Sequence, residues 1–172
     1  MKAYGGRMAT KAVAADVDPL SLQRQVCFAL AITNRAVLAV YRPLLEPLGL
    51  THPQYLVMLA LWGYPRSSPD PLSVKRIAVL LQMDSATLSP MLKRLQALGL
   101  ITRLRSGADE RTMRVELTTK GRTLRRRALT IPPMVVERLG VDLAELEHLH
   151  EVLTKINAAA LTAGVLDSQL DR

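Results

Sequence analysis

The stretch from Asp84 to Glu116, DSATLSPMLKRLQALGLITRLRSGADERTMRVE, admits few folds. Leu88, Met91, Leu92, Leu95 and Leu98 recur at helical spacing and mark one face for a core. Ser85, Thr87, Ser89, Lys93 and Arg94 fall on the opposite side, where they can meet a partner. Asp84 reads as the N-cap and Gly99 as the stop. Ile101–Arg105 and Thr112–Leu117 then read as two strands around a charged tip, residues 106–111.

The segment before it completes the pattern. Ser73 caps a short helix over Val74–Leu81, and Gln82-Met83 is a turn too short for anything but a direct helix-to-helix junction. Pro90 falls inside the second helix, where it removes one hydrogen bond and bends the start. A helix with a polar outer face followed by a basic hairpin suits duplex DNA, with the helix in the major groove and the tip in the adjacent minor groove. The expected fold is therefore mainly α with a small β wing: a winged helix-turn-helix at about 51–117, flanked by N- and C-terminal dimerisation helices at about 20–48 and 119–163.

Charge placement agrees. The net charge is +8. Between Lys93 and Arg127 eleven Lys or Arg stand against Asp109, Glu110 and Glu116, while the rest of the chain carries twelve of each sign. The whole excess thus lies on the reading head and the segment after it, as phosphate neutralisation requires. Arg103 and Arg105 are phosphate candidates, and Arg125-Arg126-Arg127 taken alone reads as a solvated face. Aromatic residues make up 3%, too few for a base-stacking platform for single strands.

Residues 1–18, rich in Ala with Gly5-Gly6, read as a flexible tail ahead of a single domain over 19–172, and translation could begin at Met1 or Met8. Leu20 to about Tyr41 is helical, with one stripe through Leu22, Val26, Leu30, Thr33, Val37, Val40 and Leu44 and a second through Cys27, Ala31, Asn34, Leu38 and Tyr41. Two faces imply two packing partners, the chain's own domain and a second subunit. Pro43 and Pro47 disturb its end, and Gly49 stops it. Thr51 caps the next helix, with Pro53 in its first turn; Gly63–Pro71 is a loop. Thr118 caps a helix running through Arg127 to Pro132-Pro133, and Asp142 starts a last one whose stripe of Leu143, Leu146, Leu149, Leu153 and Ile156 suits a dimer seam.

No apolar run is expected to span a bilayer, and the N-terminus lacks a signal-type run, so no membrane partner and a cytoplasmic location are expected. Cys27 is the only cysteine, and three scattered His leave no four-ligand metal site. No cofactor is implied.

Over residues 20–160 the chain resembles the MarR family of winged-helix repressors. Asp109-Glu110-Arg111 in the wing matches that family's signature, in which the Asp orients an Arg that enters the minor groove. Within the family it is most similar to the OhrR-type organic hydroperoxide sensors, through Gln25–Leu30 (QVCFAL), Thr51–Leu59 (THPQYLVML) and Asp84–Leu95 (DSATLSPMLKRL). That resemblance implies a dimeric repressor on a palindromic operator, with Cys27 oxidised by a peroxide and tyrosines holding its thiolate. Tyr41 matches one such tyrosine; Ala31 and His52 replace two others. Fourteen residues separate Cys27 from Tyr41, roughly 21 Å along a helix, so they would meet only across a two-fold dimer, with His52 as a further donor or cation for the thiolate.

Two other functions fit parts of this pattern. A regulator of the same family could take a small lipophilic or phenolic ligand in a crevice lined by His52, Tyr55, Met58 and Trp62. A thiol peroxidase could use Cys27 as nucleophile, but no resolving cysteine accompanies it. As a plain structural residue, Cys27 would be a small buried side chain. The chain is not expected to be an enzyme.

Overall fold

The computed structural model describes residues 18–65, 72–105 and 113–163. The wing tip with Asp109, Glu110 and Arg111, most of the Gly63–Pro71 loop and nearly all of the N-terminal tail lie outside the described residues. The chain forms two compact units, Met1–Val37 and Leu38–Arg172.

In the first unit a single 3-10 turn, Leu22–Arg24, precedes the start of helix α1, Val26–Leu45. Gln25 Nε2 donates to Pro19 O at 2.7 Å and closes the turn. Leu22, Val26, Leu30 and Ile32 are all exposed in the isolated chain. The helix starts later than the spacing suggested, because the 3-10 turn takes up Leu22–Arg24. It also runs on to Leu45 through Pro43, which sits in its last turn. Val26–Leu48 is 23 residues long and, by length and composition alone, apolar enough to cross a membrane. This overturns the expectation that no run reaches bilayer length. The apolar stripes on both faces leave only Arg35, Arg42 and Glu46 as charges along it.

The second unit holds the core. After the end of α1 a 3-10 turn, Glu46–Leu48, ends on Gly49 at φ +69, a left-handed conformation that favours glycine. Helix α2, His52–Gly63, begins with a capping box: Thr51 N donates to Gln54 Oε1 at 3.0 Å, and the Thr51 side chain accepts from the Gln54 backbone. Strand β1 is only Leu72–Ser73; helices α3, Val74–Leu81, and α4, Ser85–Ala97, follow. Strands β2, Ile101–Arg105, and β3, Met113–Leu117, pair antiparallel, and β1 adds to the other edge of β3, giving the order β1-β3-β2. Helices α5, Thr119–Ala128, α6, Ile131–Leu139, and α7, Leu143–Thr162, complete the unit.

Leu45, Val57, Met58, Ile77, Leu88, Leu92, Leu95, Ile101 and Val115 form the centre of the core, each almost wholly shielded from solvent. At ~1.5–3 kcal/mol per fully buried large apolar side chain, such a cluster is the main force holding α2, α3, α4 and the sheet together. By contrast α7 buries none of its residues within the chain; Leu149, Val152, Leu153 and Ile156 remain exposed. Two elements depart from the sequence reading: β1 and α6. The Pro132-Pro133 pair, read as the end of a helix, instead opens α6, where a missing N–H costs nothing.

Candidate nucleic-acid interface and thiol site

The two helices of the reading head are built by their caps. Ser73 Oγ accepts from Arg76 N at 3.1 Å, fixing the start of α3. Gln82 closes α3 in the left-handed region at φ 51, the sharp turn that lets α4 begin three residues later. Asp84 then holds the first turn of α4 twice, its carboxylate accepting from Thr87 N at 2.7 Å and from Thr87 Oγ1 at 2.8 Å. These hydrogen bonds lower the Asp84 pKa. Leu88, Leu92 and Leu95 are buried and Met91 and Leu98 half-buried, as the spacing requires.

On the opposite face Ser85, Thr87, Lys93 and Arg94 are exposed, and Ser89 is half-buried. The Thr87 hydroxyl proton is spent on Asp84, which leaves its oxygen as an acceptor. Arg103 is half-buried and donates from Nε to Gln96 Oε1 at 2.6 Å, so it braces β2 against α4. Arg105 ends β2 and is exposed.

Not all of the positive excess faces outward as a phosphate surface. Lys120 Nζ donates to Leu98 O at 2.8 Å, at the end of α4, and Arg127 donates to Pro47 O at 2.8 Å. The Arg122 guanidinium donates to Leu117 O. These cations satisfy carbonyl groups at element ends. Lys120, Arg122 and Arg127 of α5 thus serve the fold.

Cys27 lies in the first turn of α1 and is exposed, which excludes the buried-residue reading within one chain. The structure brings Tyr41 and His52 together: their rings meet edge to face at 5.0 Å between centroids, and Tyr55 and then Trp62 continue the row at 6.2 and 6.3 Å. Burial raises the Tyr41 pKa and lowers that of His52 below its ordinary 6.5. Burial thus works against the charged form of the His52 imidazole. The neutral ring can still donate one N–H.

The residues expected to line a crevice, His52, Tyr55, Met58 and Trp62, have different surroundings among the described residues. Tyr55 and Met58 belong to the core. Trp62 Nε1 donates to Gly121 O at 2.9 Å, and its ring borders a groove of about 190 Å³. His52 borders a different one, of about 590 Å³, with Arg42 and Glu46. Among the described residues no group of three His, Cys, Asp or Glu could hold a metal ion.

Known proteins match this arrangement at the level of sequence and of fold. The family model for the transcriptional regulator SarA/Rot matches residues 39–127. The organic hydroperoxide resistance transcriptional regulator of Bacillus subtilis is 41% identical over 133 residues, which span 76% of this chain and 87% of that protein. The chain belongs to the MarR family of winged-helix transcriptional regulators.

Other relatives place this MarR-type chain more closely. TtmR of Methylorubrum extorquens, an HTH-type transcriptional regulator, is 41% identical over 147 residues, covering 83% of this chain and 73% of that one. AbfR of Staphylococcus epidermidis superposes at TM-score 0.67 with 29% identity, over 82% of this chain and 94% of AbfR. AbfR is known reduced on DNA (TM-score 0.69, 27% identity), overoxidised on DNA, and in a disulfide-formed state. The MarR fold accounts for the helices that flank the winged region.

Sequence reasoning missed Gln96 and Gly121 as members of this site. Gln96 gave no signal, since a polar residue on an outer helix face has many uses. Gly121 was more telling, because a glycine inside a helical pattern marks a close approach.

Proposed function

We propose that this MarR-family chain is a dimeric, DNA-binding transcriptional repressor that releases its operator when Cys27 is oxidised by an organic hydroperoxide. The observation that carries this reading is the exposed lone thiol of Cys27, in a chain 41% identical to a hydroperoxide resistance regulator. In chemical terms the Cys27 thiolate attacks one oxygen of the hydroperoxide. The O–O bond breaks, an alcohol leaves once protonated, and a sulfenic acid remains. Condensation with a small external thiol expels water and gives a mixed disulfide. No other thiol of the same chain is available for this step, since Cys27 is its one cysteine.

AbfR binds DNA even when overoxidised, which favours the bulky mixed disulfide over added sulfur oxygens as the releasing form here. The added group would wedge α1 away from a second subunit and alter the spacing of the two α4 helices. That spacing must match one helical turn of DNA, ~34–36 Å. The exposed stripes of α1 and α7 are the faces such a dimer would cover. Within it, Tyr41 of the other subunit is the partner nearest in kind for the Cys27 sulfur, with His52 behind the tyrosine as a further donor. The domain division follows: winged helix-turn-helix at about 51–117, dimerisation helices at about 20–48 and 119–163.

On DNA, Ser85, Thr87, Ser89, Lys93 and Arg94 meet the major groove, Arg103 and Arg105 the phosphates, and Arg111, oriented by Asp109, the minor groove. A regulator of this kind acts where the chromosome is, in the cytoplasm, and has no catalytic turnover. Sedimentation of a labelled palindromic duplex tests the reading. It expects two chains per duplex and free duplex after treatment with cumene hydroperoxide and a small thiol; a monomer on DNA, or an unchanged complex, contradicts it.

A further inference from the structure

Three consecutive carbonyl groups at the exit of α4 are taken by the first residues of α5. Lys120 Nζ donates to Leu98 O at 2.8 Å, Thr118 Oγ1 to Gly99 O at 2.7 Å, and Thr118 N to Leu100 O at 3.0 Å. The Thr118 hydroxyl has a second use, because its oxygen accepts from Gly121 N at 3.0 Å and so caps α5. One side chain therefore closes the exit of α4 and starts α5 at once. The chain turns at Gly99 in the left-handed region, φ +70, and Leu100 N returns to Leu95 O at 3.0 Å. Gly121 packs so closely on this turn that a Cβ there would sit 2.0 Å from Leu100 O. From the side of α2, Trp62 Nε1 holds Gly121 O at 2.9 Å.

We infer that Thr118 and Lys120 are positioning residues for DNA reading, a role that rests on the DNA-binding function proposed above: they set α4 on α5 without touching the duplex. Thr118 is half-buried, and its one hydroxyl proton and one oxygen lone pair are already in use, which leaves little to offer a phosphate. Lys120 is exposed and belongs to the basic excess, yet its ammonium group lies on a carbonyl group at the C-terminal end of α4. A cation there also meets the negative end of the helix dipole. A recognition helix works by bringing its outer side chains within hydrogen-bond reach of base edges, so a tilt of its far end costs base contacts. Non-specific binding is set by charge and does not depend on that fit. Loosening the joint should therefore cost specific affinity and spare the non-specific kind.

Two measurements on the full-length protein test this. The first is fluorescence anisotropy with a labelled duplex that the wild type selects from a random-sequence pool, and with a scrambled duplex of equal length. Thr118→Val keeps the shape and loses the hydroxyl. It should bind the selected duplex roughly tenfold more weakly, the worth of one hydrogen bond lost in each of two subunits. Affinity for the scrambled duplex and the slope of log affinity against log salt should match the wild type, and Thr118→Ser should restore binding. Lys120→Met should lose affinity for the selected duplex at an unchanged salt slope; a slope that falls by about one per lysine would put Lys120 on phosphate and overturn its role. The second measurement is amide hydrogen exchange without DNA. Both variants should exchange faster than the wild type at residues 98–100, with α2 and α3 unchanged. Unchanged exchange at 98–100, a change confined to α5, or selected and scrambled affinities that fall together overturns the proposal. Should Thr118→Val fail to fold, Lys120→Met, at an exposed position, decides. A wild type that selects no duplex counts against the function proposed above, and the exchange pattern then decides the joint by itself.

Discussion

The rings of Tyr41 and His52 meet edge to face, 5.0 Å between centroids, at the point where α1 ends and α2 begins. A tyrosine hydroxyl and an imidazole are two polar groups that sequence alone assigns separately to the thiol. In the fold they are first of all partners of each other. Burial favours the neutral form of both, raising the pKa of Tyr41 from 10.0 and lowering that of His52 from 6.5.

Stability should therefore be flat between about pH 6.5 and 10 as far as this pair is concerned. The folded pKa of His52 lies below its unfolded value, so its contribution is complete above 6.5 and is lost as pH falls, when the unfolded chain takes up the proton first. Tyr41 acts in the opposite sense above 10. Thermal melts across this range should show a fall on the acid side that His52→Gln reduces; an acid limb of unchanged slope in the variant would remove His52 from this role.

Gly121→Ala should destabilise the protein by roughly 2 kcal/mol or more, because a Cβ there would sit 2.0 Å from Leu100 O and 3.0 Å from Leu100 C. Backbone must move to make room, and Trp62, whose indole N–H is held by Gly121 O, should report the shift in its fluorescence. Denaturant unfolding followed at Trp62 is the measurement. A variant as stable as wild type would show that α5 does not need this close approach.

Asp84→Ala should lower the melting temperature modestly and weaken DNA binding, because the cap orients the first turn of α4. Asp84→Asn should retain most of both, since an amide oxygen still accepts from Thr87. Equal losses in the two variants would mean that charge, and not the cap, is what matters.

How much of this was legible in the sequence depended on whether a single residue carried the signal. Ser73 and Asp84 announced the starts of α3 and α4, and the leucine spacing announced the buried face, because caps and periodicity are local. Strand β1 was invisible: two residues cannot show alternation, and Leu72 is a strand only because Val115 lies opposite it. Helix α6 was hidden by reading Pro132-Pro133 as a stop, although Gly140 after Leu139 marked a helix end. The Tyr41–His52 contact and the lowered pKa of His52 arise from a turn and from burial, neither of which is written in either residue. The use of Lys120, Arg122 and Arg127 on carbonyl groups likewise depends on which element ends the fold brings beside α5.

Arg111→Ala should cost about 1–3 kcal/mol of DNA affinity with no change in melting temperature. Arg103→Ala should differ, losing some stability of the wing along with affinity, because Arg103 braces Gln96. Fluorescence anisotropy with a labelled duplex, paired with thermal melts, separates the two. A matching loss of stability in Arg111→Ala would place that side chain in the fold and not on the DNA.

The most direct test compares operator affinity of the wild type and Cys27→Ser, each before and after cumene hydroperoxide with a small thiol. The expected result is tight binding by both reduced proteins, release by the oxidised wild type, and continued binding by treated Cys27→Ser. Retained binding by the oxidised wild type, or equal release by Cys27→Ser, would contradict a sensor built on Cys27.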